Sequence, residues 1–184
     1  MLIRLLLIFI ALSMASYPIW AATASDYSLL GLKLVSANKD DIRQSLFSWD
    51  GFDQAKSTLY RKQFNRFYPK NILRETYRLD FRYEQDGRFA SMQILYRPFS
   101  PEYANQKQGI DISDIVAQLT PIIGSPNARF RRTASGLPSY NAYQWEDDKV
   151  SILLDREGQQ AGRPPVLNVR MKNGNIASNY SPHP

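Results

Sequence analysis

Tyr77-Arg78-Leu79-Asp80-Phe81-Arg82-Tyr83-Glu84-Gln85-Asp86-Gly87-Arg88-Phe89-Ala90-Ser91-Met92-Gln93-Ile94-Leu95-Tyr96 carries the reading that decides the fold. Tyr77, Leu79, Phe81 and Tyr83 alternate with Arg78, Asp80, Arg82 and Glu84, the period of an extended strand with one apolar side. Gln85-Asp86-Gly87 is turn chemistry, and beyond it Ala90, Met92, Ile94 and Tyr96 alternate with Ser91, Gln93 and Arg97. Two such runs joined by a short turn predict a hairpin of an antiparallel sheet, apolar on one face and polar on the other. Pro98 and Pro101 end it, because proline cannot donate to a ladder.

Toward the N-terminus, Leu29 to Val35 reads as a first strand and Asn38 as the cap of a helix over Lys39 to Phe47. Asp40 and Asp41 suit its first turn, Ile42 and Leu46 lie at i and i+4 on its buried face, and Gly51 is its stop. Ser57 to Tyr68 has no clean period and is read as strand or irregular chain. Toward the C-terminus, Asp111 or Ser113 caps a helix through Ile123 with Ile112, Ile115, Val116 and Leu119 as its stripe. Pro121 is expected to kink its last turn or end it early, before Gly124-Ser125-Pro126. Tyr143 to Trp145 and Val150 to Leu154, around the acidic turn Glu146 to Lys149, predict a second hairpin with Trp145 in the core. Val166 to Met171 adds a strand, Thr133 to Ser139 and Gln159 to Pro165 read as loops, and a polar tail covers 173–184.

The class that follows is α+β: an antiparallel sheet, or sheets, with two helices packed on one face, in a single domain over 25–172. Ile42, Leu46 and Gly51 have the same separations as Ile115, Leu119 and Gly124, and each set precedes a hairpin. A tandem helix-then-strands repeat with halves 29–98 and 109–172 is therefore one reading, and a coincidence of common helix features is the other.

Gly109-Ile110-Asp111-Ile112-Ser113-Asp114-Ile115 through Leu119 and Gly124-Ser125-Pro126, followed by a Trp-bearing hairpin, resembles the helix-plus-antiparallel-strand module of small periplasmic proteins. That group includes the outer-membrane-assembly lipoproteins and the tandem-repeat β-lactamase inhibitor protein. The resemblance covers Asp111 to Leu154 and, more loosely, Leu29 to Tyr96. It implies a layered α+β domain that binds other proteins or helps assemble an envelope. It transfers no binding residue, and the lipidated Cys of the assembly lipoproteins has no counterpart here.

Residues 1–24 differ from the rest: Arg4, an apolar run from Leu5 to Leu12, Pro18, and then Ala22-Thr23-Ala24. These are the parts of a secretory signal peptide with a small-x-small cleavage site, predicting a chain that starts at Ser25. The competing reading is an uncleaved anchor. Ser13, Ser16 and Pro18 dilute the second half of the run, and no basic cluster follows to stop transfer. The expected location is thus periplasmic or secreted, and a chain with no Cys fits a bacterial periplasm better than a eukaryotic secretory route.

The same inventory removes much chemistry. With no Cys and one His, His183 in the tail, thiol catalysis and Cys/His zinc sites are excluded, and no cofactor or metal is called for. The glycines stand singly at turns rather than in a phosphate loop. Asp40-Asp41 and Glu146-Asp147-Asp148 are the paired carboxylates available for hydrolysis, and both positions also explain acids structurally. No catalytic set emerges.

The unusual stretch is Tyr60 to Tyr83. Arg61, Lys62, Arg66, Lys70, Arg74, Arg78 and Arg82 outnumber Glu75 and Asp80 there and interleave with aromatic residues. Nucleic acid is set aside by the export reading, which leaves a protein or an anionic envelope component, with peripheral membrane contact compatible. Arg74, Arg78 and Arg82 are the candidate partner-binding residues, and Arg129 and Arg131 beside Phe130 would extend their surface. A plain solvated sheet face explains the same alternation. The function expected is a non-catalytic binding protein. Its rivals are a carboxylate-dependent envelope hydrolase and a carrier of a small apolar ligand, the latter needing an enclosed apolar pocket.

Overall fold

A computed structural model describes residues 22–97 and 109–172. Residues 1–21 of the expected signal segment, Pro98, Pro101 and the tail with His183 lie outside the described residues. Helix α1, Lys39–Ser48, starts where expected: Asn38 Oδ1 accepts from the amides of Asp40 and Asp41 at 2.8 and 3.0 Å, and Asp41 Oδ2 accepts from Asn38 N at 2.9 Å. That reciprocal box satisfies donors a helix start would otherwise leave bare. Ile42 and Leu46 are buried. Helix α2, Ile112–Ile123, buries Ile112, Ile115, Leu119 and Ile123. It runs through Pro121 instead of ending early, because a proline this close to the C-terminal end displaces only one exposed carbonyl bond, that of Ala117.

The strands are β1 Ser28–Leu29, β2 Leu32–Lys33, β3 Phe52–Gln54, β4 Phe64–Pro69, β5 Thr76–Tyr83, β6 Phe89–Tyr96, β7 Ala128–Ala134, β8 Leu137–Glu146, β9 Val150–Arg156 and β10 Pro165–Met171. The single strand expected over Leu29 to Val35 is instead the small hairpin β1–β2, because Leu30 and Gly31 take φ of 51° and 83° and turn the chain. The loop expected over Thr133 to Ser139 is mostly strand, closed by a tight turn at Ser135-Gly136 with Gly136 at φ 75°.

The other eight strands form one antiparallel sheet in the order β3-β4-β5-β6-β10-β9-β8-β7. Each helix is followed by a four-stranded meander, and the two meanders join edge to edge at β6–β10. The register across that seam is symmetric. One core row runs Phe67, Leu79, Ile94, Leu167, Leu154, Tyr143; the next runs Trp145, Ile152, Val169, Met92, Phe81, Asn65. Read from opposite ends, the rows match position for position. The helix-then-strands repeat is therefore built into the topology, with Phe67 and Trp145 in corresponding places, both buried.

Both helices and the segment from Ala24 to Ala37 pack on one face of this sheet and share its core. Trp145 Nε1 donates to the Gly124 carbonyl at 2.9 Å, pinning the end of α2 to β8. Ala24, the residue before the expected cleavage point, is itself buried. Among the described residues no helix is long and apolar enough to cross a membrane.

Candidate binding surface

The face of the sheet away from the helices gathers the basic and aromatic side chains. Alternation puts Phe64, Arg66 and Tyr68 of β4 there, opposite Arg82 and Asp80 of β5, because the register pairs Phe64 with Arg82 and Arg66 with Asp80. Arg66 meets Asp80 in a bidentate pair, Nε to Oδ1 at 2.7 Å and Nη2 to Oδ2 at 2.8 Å. Arg78 Nε adds a contact to Asp80 Oδ2 at 3.2 Å. The hydrogen bond to Asp80 holds the Arg66 proton even more tightly than usual.

Phe64 is the centre of a cluster. The guanidinium carbons of Arg82, Arg66 and Arg61 lie 5.5, 5.6 and 5.9 Å from its ring centroid. Arg61 and Arg82 are exposed and form no ion pair with an acid of the described residues. Nearby, Tyr68 and Tyr77 meet edge to face at 6.1 Å, with Arg97 over the Tyr77 ring at 5.6 Å. Tyr77 corrects the sequence reading, which placed it in the core. A register shift between Thr76 and Arg78 displaces it from the alternation and leaves it 46% exposed.

Of the five residues expected to bind a partner, Arg78 and Arg82 share this face. Arg74 is exposed in the turn before β5. Arg129 and Arg131 sit on β7 at the far edge of the sheet. Pairing of Arg129 with Tyr143, whose neighbour two positions on is the buried Trp145, turns both arginines to the helix side. They therefore do not extend the surface of Arg78 and Arg82. Arg132 has the matching orientation, and it is neutralised by Asp155: Nη2 to Oδ2 is 2.9 Å, and the Tyr140 hydroxyl donates to Oδ1 at 2.7 Å. Sequence reasoning missed Arg61, Arg66 and Phe64 as one group. Tyr60, Arg61 and Phe64 were visible in the basic stretch, but no period assigned them a face.

Three of the five carboxylates considered for hydrolysis have other work. Asp41 caps α1, Glu146 pairs with Lys172 at 2.6 Å, and Asp147 accepts from the backbone amides of Ser25, Lys149 and Val150. Burial would raise the Asp147 pKa, but these bonds outweigh it and hold the carboxyl down at about 2. A surface cavity of about 550 Å³ lies at the start of α2, lined by Ile110, Asp111, Asp114, Arg156, Arg163 and Pro165 among others. Its wall is charged, and Arg156 Nη2 crosses it to Asp111 Oδ1 at 3.0 Å. Asp111, at the cap position of α2, makes no capping bond: its Oδ1 accepts from Arg156 and its Oδ2 from the Ser113 hydroxyl at 3.3 Å.

Compared with family models, curated proteins and solved structures, the chain matches none.

Proposed function

We propose that this protein is an exported, non-catalytic binding protein of the bacterial envelope that engages a protein or anionic envelope partner through the basic, aromatic face of its sheet. The observation that carries this is the Phe64 cluster: three guanidiniums around one ring, two of them exposed and without an acidic partner among the described residues, on the face without helices. Exposed cations of one sign steer an anionic partner, and rings beside them supply contact area on arrival. Asp80 orients Arg66 and Arg78, so part of the face is prearranged. Export rests on residues 1–24. The likeness to small periplasmic modules points the same way.

The test is crosslinking of the purified secreted chain to envelope fractions, followed by mapping of the linked residues. Links should concentrate on β4 and β5, weaken at high salt, and disappear in the double variant Arg61→Ser, Arg82→Ser while thermal stability stays unchanged. Undiminished capture by that variant would overturn the reading.

A further inference from the structure

The eight-stranded sheet has two edges, and they differ. β3 is three residues long, whereas β7 runs for seven and has β8 on one side and, among the described residues, no strand on the other. An open edge leaves alternate backbone N–H and C=O groups without ladder partners, and natural proteins usually shorten or cover one. β7 is instead extended into solvent. The β7–β8 hairpin reaches past β9, which pairs with Tyr143 to Glu146, so among the described residues the stretch 137–141 has β7 as its one neighbouring strand. Phe130 is 38% and Leu137 47% exposed.

The side chains along β7 divide by side. Arg129 and Arg131 lie on one side: Arg129 stacks over Tyr143 at 5.7 Å and Arg131 Nη2 donates to Ser139 Oγ at 3.1 Å. Neither forms an ion pair with an acid of the described residues. On the other side stand Phe130 and Arg132, whose charge Asp155 already balances. From Ala128 to Trp145 the chain has three arginines and no acid.

We infer that β7 is a docking edge at which an extended acidic segment of a partner protein adds a ninth strand to the sheet. Backbone hydrogen bonds would provide affinity and the alternating side chains the selection. Two exposed arginines on one side call for acids at alternate positions of the incoming strand, and Phe130 on the other calls for apolar residues between them. The same charges reject the obvious competitor. A second copy pairing through β7 would set arginines against arginines, so the edge is protected from self-association while open to an acidic strand. The inference concerns the edge rather than the open face and is independent of the Phe64 cluster.

The probe is a fluorescent eight-residue peptide of alternating Glu and Val, with an alternating Lys and Val peptide as control. Anisotropy should report binding of the acidic peptide alone, weakened about tenfold or more between low and high salt. Hydrogen exchange should slow in residues 128–134 and stay unchanged in β3. The pair Arg129→Ser, Arg131→Ser should lose about tenfold in affinity with the thermal midpoint retained, while Arg61→Ser, Arg82→Ser should bind the peptide normally. No binding at millimolar peptide, equal binding of the Lys peptide, protection away from β7, or a dimer protected at β7 without peptide would each overturn the inference. All four leave the open-face reading untouched, because its own test uses other residues.

Discussion

Trp145 concentrates several constraints in one side chain. It is 1% exposed, and its indole N–H is committed to the Gly124 carbonyl. Trp145→Ala should therefore lose about 3–5 kcal/mol in urea unfolding, whereas Trp145→Phe, which keeps most of the ring but orphans that carbonyl, should lose about 1–3 kcal/mol. A negligible loss in Trp145→Phe would show that the hydrogen bond contributes nothing, whereas a loss equal to that of Trp145→Ala would show that ring packing contributes nothing. Asp155 sits in the opposite kind of environment, a charge 2% exposed and surrounded by Arg132, Tyr140 and the Arg156 amide. Asp155→Asn should destabilise by about 3 kcal/mol or more, because the arginine then keeps its charge without a counterion. Asp147 adds a pH dependence. Its folded pKa of about 2 lies below its usual value of 3.8, so its stabilising contribution is fully present above about pH 5 and is lost as pH falls through about 2. Solvent screening keeps this to about 1 kcal/mol. Acid titration of the unfolding midpoint should show the slope flattened in Asp147→Asn. An unchanged slope would assign the dependence to other carboxylates.

At the scale of elements, local signals succeeded where short-range chemistry controls the backbone. The Asn38 cap and the alternation of Leu79, Phe81 and Tyr83 were readable because a cap reaches three residues and a pleat repeats every two. β4 was obscure for a physical reason: it turns Asn65 into the core and Phe64 outward, inverting the polarity a strand pattern relies on. The Asn65 amide is retained inside by donation to the Thr58 carbonyl at 3.3 Å. Pro121 does not end α2 early, because its effect depends on its distance from the helix end rather than on its presence. Pro121→Ala should consequently raise stability by only about 1–2 kcal/mol, less than the roughly 3 kcal/mol of a mid-helix proline. A loss of stability would mean that chain stiffening by the proline outweighs the bond it removes.

For the whole molecule the β6–β10 seam is the controlling feature. Five residue pairs join there, with the Gln93 amide donating to the Asn168 side-chain oxygen at 2.9 Å on the face away from the helices. One core cluster spans both halves, containing Ile42 and Phe67 from one and Ile115 and Trp145 from the other. The two repeats should therefore unfold together. Far-ultraviolet circular dichroism, which sees both, and Trp145 fluorescence, read against a Trp20→Phe, Trp49→Phe background, should give coincident transitions. Two separated midpoints would show that each half holds its own fold.

Composition, alternation and capping determined what needs only neighbours along the chain: the α+β class, both helices, the strands β5, β6, β9 and β10, the burial of Trp145, and the side of the sheet on which Arg78 and Arg82 stand. Tertiary structure alone decided that the halves share one sheet, that a bulge expels Tyr77, that Arg61, Arg66 and Arg82 converge on Phe64, and that Arg129 and Arg131 face away from them. Each of those depends on which strand lies beside which and in what register. Pairing energy is gained between residues far apart in sequence, and a shift of one position exchanges the two faces of a strand. No periodicity within a single segment records that choice.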